Sequence, residues 1–123
     1  MYLGYFIVFC YYKKDMNIDK KIQSKASLAG FTTFKIGGKA KFFVEVKSKN
    51  ELIAAIEWAK KKDLDFCILG GGSNVLIFDG IINKLFIRIS PNGIKIKNNR
   101  IKCGAGTPLN LVLQKTIKND LTG

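Results

Sequence analysis

The sequence predicts an α/β fold, and three observations carry that prediction. A Phe- and Val-rich run over residues 40–46 is followed by a capped helical pattern and then by the apolar run Phe66-Cys67-Ile68-Leu69. Strand, helix and strand in that order make a βαβ unit. The apolar run ends on Gly70-Gly71-Gly72, and α/β sheets bind ligands off the carboxyl ends of their strands. Beyond residue 84 come three more strand patterns and a second helical pattern.

The first strand, Ala40 to Val46, reads Ala-Lys-Phe-Phe-Val-Glu-Val and has glycines upstream. Ser48 then offers an N-cap with Glu51 three residues on, a capping box. The helix it opens should run to about Lys62, with Leu52, Ile56 and Ala59 on one face and Ile53 beside them. Phe66 to Leu69 is continuously apolar, the pattern of a strand buried on both faces. The two strands joined through the helix should be parallel, with a right-handed crossover.

Lys84 to Ile89 predicts another strand. Ile94 to Lys97 and Ile101 to Gly104 flank Asn98-Asn99, a hairpin turn that exploits the tolerance of Asn for positive φ. Thr107 then stands as an N-cap with Pro108 in the first helical position, opening a helix to about Lys118.

Composition narrows the function. The 123 residues suffice for one small domain, and 47% hydrophobic residues allow a packed core. The formal charge is +12, yet only Arg88 and Arg100 of the 21 basic residues are arginines. Base readout and bidentate phosphate contacts lean on Arg. The lysines are dispersed along the chain, which reads as a solvated surface whose field assists an anionic ligand. There is no histidine, and Cys10, Cys67 and Cys103 are far apart. That argues against the usual zinc and haem sites and against Ser-His or Cys-His nucleophiles. Cys67 and Cys103 lie in strand patterns and read as small buried hydrophobes. Met1 to Tyr12 is apolar but short of the about 20 residues a membrane span needs. It has neither the basic start nor the cleavage site of a signal peptide. Residues 1–23 are therefore read as an N-terminal extension, with Met16 the expected native start and a membrane tether the alternative.

The chemistry concentrates in the loop Gly70-Gly71-Gly72-Ser73-Asn74. Consecutive glycines remove Cβ atoms from the path of a ligand, and their N–H groups can converge on one concavity that suits phosphate oxygens. The Ser73 hydroxyl and the Asn74 amide add donors. A flexible turn is the plain alternative. The loop lacks the Gly-Lys-Ser/Thr ending of a Walker A motif and the spacing of GxGxxG. Two more glycine segments accompany it, Thr33-Phe34-Lys35-Ile36-Gly37-Gly38-Lys39-Ala40 and Gly104-Ala105-Gly106-Thr107-Pro108.

In this order, the three segments resemble UDP-N-acetylenolpyruvoylglucosamine reductases, also called UDP-N-acetylmuramate dehydrogenases. The resemblance covers residues 24–123 and rests most specifically on Leu-Gly-Gly-Gly-Ser-Asn-Val-Leu. It implies a vanillyl-alcohol-oxidase-type (PCMH-type) FAD-binding domain rather than a Rossmann fold. The first, βαβ-containing lobe would reach about residue 97, and a truncated second lobe would begin near Ile101. The resemblance assigns Gly70, Gly71, Gly72, Ser73 and Asn74 to the FAD pyrophosphate. It assigns Gly104, Ala105 and Gly106 to the flavin ring and Ile36, Gly37 and Gly38 to a turn closing on the cofactor. It implies NADPH as reductant, UDP-N-acetylglucosamine enolpyruvate as substrate, and a cytoplasmic role in peptidoglycan synthesis, without nucleic-acid or membrane partners. The proton-donating Ser or Cys, the Arg and the Glu of that family's site match no position of this chain. No catalytic residue and no metal ligand is assigned, and the chain alone is expected to be inactive. The rivals are another flavin oxidoreductase of the same fold, and a non-catalytic FAD-binding module or inactive truncated product.

Overall fold

A computed structural model describes residues 17–90 and 93–121. The extension through Met16, with Cys10, lies outside the described residues. A four-stranded sheet is built from β1 (Gln23–Ser27), β2 (Lys39–Val46), β3 (Phe66–Leu69) and β4 (Ile81–Ile89), in the order β1-β2-β4-β3. β1 runs antiparallel to β2, whereas β2 and β3 each run parallel to β4. The two strands flanking the helix are thus parallel as expected, but β4 separates them.

Helix α1 (Lys49–Lys61) joins β2 to β3. Its start follows from the sequence: Ser48 Oγ accepts from the Glu51 N–H at 3.2 Å. The returning bond lands one residue earlier than in a standard capping box, from the Lys47 N–H to Glu51 Oε2 at 2.7 Å. Glu51 also pairs with Lys21 Nζ at 2.5 Å. The Lys21 ammonium, and then the Lys47 N–H, hold the Glu51 carboxyl below its ordinary value.

α1 covers the face of the sheet made by Val44, Val46, Leu85 and Ile87, all with no exposed surface. Each such side chain contributes about 1.5–3 kcal/mol of burial. Ala55 and Ala59 face the sheet and let the helix approach closely, while Leu52 and Ile56 flank them. Trp58 packs edge-on against Phe42, with ring centroids 5.1 Å apart, and donates from Nε1 to Asp19 Oδ1 at 2.5 Å. The opposite face carries a second cluster of Leu28, Ala40, Phe43, Ile77 and Phe86.

The expectation that residues 66–69 are buried on both faces is corrected. β3 is an edge strand, and Phe66 and Ile68 are exposed. Their register with Leu85 and Ile87 puts them on the α1 side, beyond the strands that α1 covers. The strand buried on both faces is β4, through Leu85, Phe86 and Ile87.

Farther along, β5 (Ile94–Lys97) and β6 (Arg100–Cys103) form a separate antiparallel hairpin turned at Asn98, whose φ is +54°. Cys103 is exposed there rather than buried: its strand belongs to a two-stranded ribbon outside both apolar clusters of the described residues. Cys67 is half-buried against the second cluster. The second helix, α2 (Leu109–Lys118), begins one residue later than expected. Pro108 takes the cap position, and the Thr107 hydroxyl turns away to the Gly93 carbonyl at 3.4 Å. No helix among the described residues is long and apolar enough to cross a membrane.

Candidate functional site

The glycine loop leaves the carboxyl end of β3 and is fixed at one point, Gly72. This residue is buried with φ +70°. A Cβ there would stand 1.9 Å from the Phe31 carbonyl oxygen. The Gly72 carbonyl in turn accepts from the Thr33 N–H at 3.1 Å. Only glycine meets both demands, a left-handed backbone and direct backbone contact.

Its neighbours behave differently. Around a Cβ built at Gly70 or Gly71 nothing lies within 4 Å. Among the described residues, the N–H groups of Gly71 to Asn74 make no hydrogen bond to the protein, nor do the side chains of Ser73 and Asn74. Successive N–H groups without a protein partner in a turn can converge on phosphate oxygens. The residues therefore fit a dinucleotide's pyrophosphate: open room in front of Gly70 and Gly71, a pinned base at Gly72, and hydroxyl and amide donors beyond it.

The turn carrying Ile36, Gly37 and Gly38 stands beside the segment that continues the loop. Gly38 N–H donates to Phe78 O at 3.0 Å, and Lys39 N–H to Gly80 O at 2.7 Å. A Cβ at Gly38 would lie 2.2 Å from Gly80 O and 2.6 Å from Phe78 O, so the two backbones run in contact. The Gly37 position abuts Ile77. Thr32, which the sequence reading passed over, secures this turn. It is the one buried polar residue among those described, and its hydroxyl donates to Ile36 O at 3.0 Å. Phe34, Ile36, Leu76 and Phe78 stand exposed around these two segments.

Gly104, Ala105 and Gly106 are not joined to this assembly by hydrogen bonds among the described residues. Gly104 N–H donates to Gly93 O at 3.0 Å and Gly104 O accepts from Thr107 N–H, so the turn closes on the base of its own hairpin.

Three further residues shape the site and were missed: Phe31, Phe43 and Arg88. The rings of Phe31 and Phe43 stack at 4.6 Å and 17°, and the Arg88 guanidinium lies 5.0 Å from the Phe31 centroid. Arg88 is the sheet partner of Leu69, the residue just before the loop. Nothing local in the sequence announces this group, because its members are far apart along the chain.

A concavity of about 870 Å³ lies elsewhere, bounded by Lys95, Lys97, Asn98, Asn99, Arg100 and Lys102. It is walled by cations on one face of the hairpin, in the opposed pairs Lys95–Lys102 and Lys97–Arg100. No aromatic or branched aliphatic side chain lines it, as a cofactor pocket would require, so the glycine loop remains the better candidate. Among the described residues no three Cys, Asp or Glu converge as metal ligands.

The comparisons agree with the geometry. A family profile described as FAD binding domain matches residues 40–123. The UDP-N-acetylenolpyruvoylglucosamine reductase of Clostridium novyi (strain NT) is 33% identical over 113 residues, covering 90% of this chain and 37% of the relative. That of Desulforamulus reducens is 36% identical over 104 residues, covering 83% of this chain and 34% of the relative. A crystal structure of the corresponding reductase from Thermus caldophilus aligns with TM-score 0.63 and 28% identity, over 83% of this chain and 34% of that one. The chain spans about a third of the length of these relatives.

Proposed function

The chain belongs to the FAD binding domain family, and on that premise we propose that it is the cofactor-holding part of a UDP-N-acetylenolpyruvoylglucosamine reductase. The observation that carries this reading is the loop Gly70–Asn74, pinned at Gly72 and open in front of Gly70 and Gly71, whose N–H groups from Gly71 to Asn74 make no hydrogen bond among the described residues. In this reading Gly70, Gly71, Gly72, Ser73 and Asn74 receive the pyrophosphate. Ile36, Gly37 and Gly38 close on the cofactor from the adjoining turn. Gly104, Ala105 and Gly106 offer a bare backbone to the flavin ring. FAD, when bound, supplies the hydride chemistry, and the chain supplies position and electrostatics. The substrate of the whole protein would be UDP-N-acetylglucosamine enolpyruvate and its reductant NADPH, in cytoplasmic synthesis of peptidoglycan precursors.

Titration of the chain with FAD, followed by flavin fluorescence, tests this. Saturable binding is expected, with ADP competing because it shares the pyrophosphate and riboflavin competing far less. Absence of binding, or equal competition by riboflavin, would overturn it.

A second reading is a module that holds FAD without doing chemistry itself. One observation favours it: neither the loop Gly70–Asn74 nor the turn Ile36–Gly38 carries a titratable side chain. FAD binding without enolpyruvate-dependent NADPH oxidation is the expected result for the chain alone, and robust turnover would refute it.

A further inference from the structure

A chain of contacts runs from the carboxyl end of the sheet to the single fixed point of the glycine loop. The Ser90 hydroxyl donates to the Glu45 carboxylate, whose other oxygen lies 3.9 Å from Arg88 Nη1. The Arg88 guanidinium covers the ring of Phe31 at 5.0 Å, and that ring also stacks on Phe43 at 4.6 Å. The Phe31 carbonyl occupies the space that a Cβ on Gly72 would need. The next link, from Thr33 N–H to Gly72 O, ties the same segment to the loop.

We propose that Arg88 is a positioning residue for the glycine loop. It covers the Phe31 ring, keeps the Phe31 carbonyl seated against Gly72, and so fixes the N–H groups of Gly71 to Asn74 in one arrangement before any ligand arrives. Its ion pair with Glu45 does not account for this role. At 3.9 Å, with both side chains more than a third exposed, that pair contributes little by itself. The planar cation over an aromatic ring is the stronger contact, and Arg, unlike Lys, stacks flat. Pre-organisation of this kind raises affinity by lowering the cost of ordering the loop on binding. The consequence for affinity rests on the FAD reading given above; the mechanical role does not.

The Thr33 amide reports on the seat of the loop, since its bond ends on Gly72. Arg88→Ala is expected to speed hydrogen exchange at Thr33 roughly two- to fivefold, the span that a cation–π contact at a part-exposed site supports. The amides of Ala55 and Ala59 in α1 should not change. Arg88→Lys, which keeps the charge and the Glu45 pair, should recover only part of the protection. FAD affinity of the Ala variant should fall by the same factor. Unchanged exchange at Thr33, or exchange that rises in step at Ala55 and Ala59, overturns the proposal. Faster exchange at Thr33 in a chain that binds no FAD upholds the positioning role and removes the cofactor reading instead.

Discussion

Gly71 and Gly72 are neighbours with opposite requirements, and that difference separates folding from binding. Gly72→Ala puts a methyl group 1.9 Å from a backbone oxygen at φ +70°. The left-handed backbone alone costs an L-residue roughly 1–2 kcal/mol, and the clash adds to it, since the obstacle is main chain rather than a side chain that could swing aside. The melting temperature should drop by about 4 °C or more. Gly71→Ala meets open space, so the melt should be nearly unchanged while FAD affinity falls, because the methyl group enters the room left for the ligand. Thermal melts and FAD titrations on both variants check the pair of outcomes; equal losses of stability would contradict it. The sequence alone marks both as glycines of a phosphate-type loop. It does not say which one is pinned, because the obstacle at Gly72 comes from Phe31, some forty positions away. Separation along the chain likewise hides the approach of Arg88 to Phe31.

At the scale of elements, what was legible is what local patterns encode. β3 falls on the predicted residues, β2 begins one residue early, and α1 begins just after its predicted cap. β1 was not predicted, because Gln-Ser-Lys-Ala-Ser has no apolar alternation and four of its five residues are exposed. It is a strand only because β2 offers it an edge. The inversion of β3 and β4 has a similar cause: four apolar residues in a row look the same at an edge as in the middle, and order in the sheet is not order in the chain. The cap of α1 adds a testable pH dependence. The Glu51 carboxyl lies below its ordinary value in the folded chain because Lys21 and the Lys47 N–H favour the charged form. Its contribution is therefore fully present above the unfolded carboxyl value of about 4.3 and disappears as pH falls through the lower folded value. Glu51→Gln should lower the melting temperature by about 1–5 °C at neutral pH, the scale of a partly exposed ion pair. The gap between variant and parent should close in acid. A gap that stays constant across the acid range would show that the charge of Glu51 is irrelevant.

Across the whole molecule, burial is distributed very unevenly. Both apolar clusters lie within residues 18–89, on the two faces of one sheet. α2 buries none of its residues, and Leu109, Leu111, Leu113 and Ile117 are exposed along it. Leu109, Leu113 and Ile117 recur every fourth residue, so this helix has an apolar face that, among the described residues, meets no core. Ten residues are also fewer than the about 12–15 an isolated helix needs to be even marginally stable in water. Opening free energies should therefore differ sharply along the chain. Amides of Leu85, Phe86 and Ile87 in the doubly covered strand should exchange only through global unfolding. Those of Leu109 to Lys118 should exchange within about tenfold of an unstructured peptide, the expectation for a helix near the coil boundary. Hydrogen exchange followed residue by residue gives both values in one experiment. Protection in α2 equal to that in β4 would mean that its apolar face is covered in solution, and that the helix shares the stability of the sheet rather than depending on its own weak propensity.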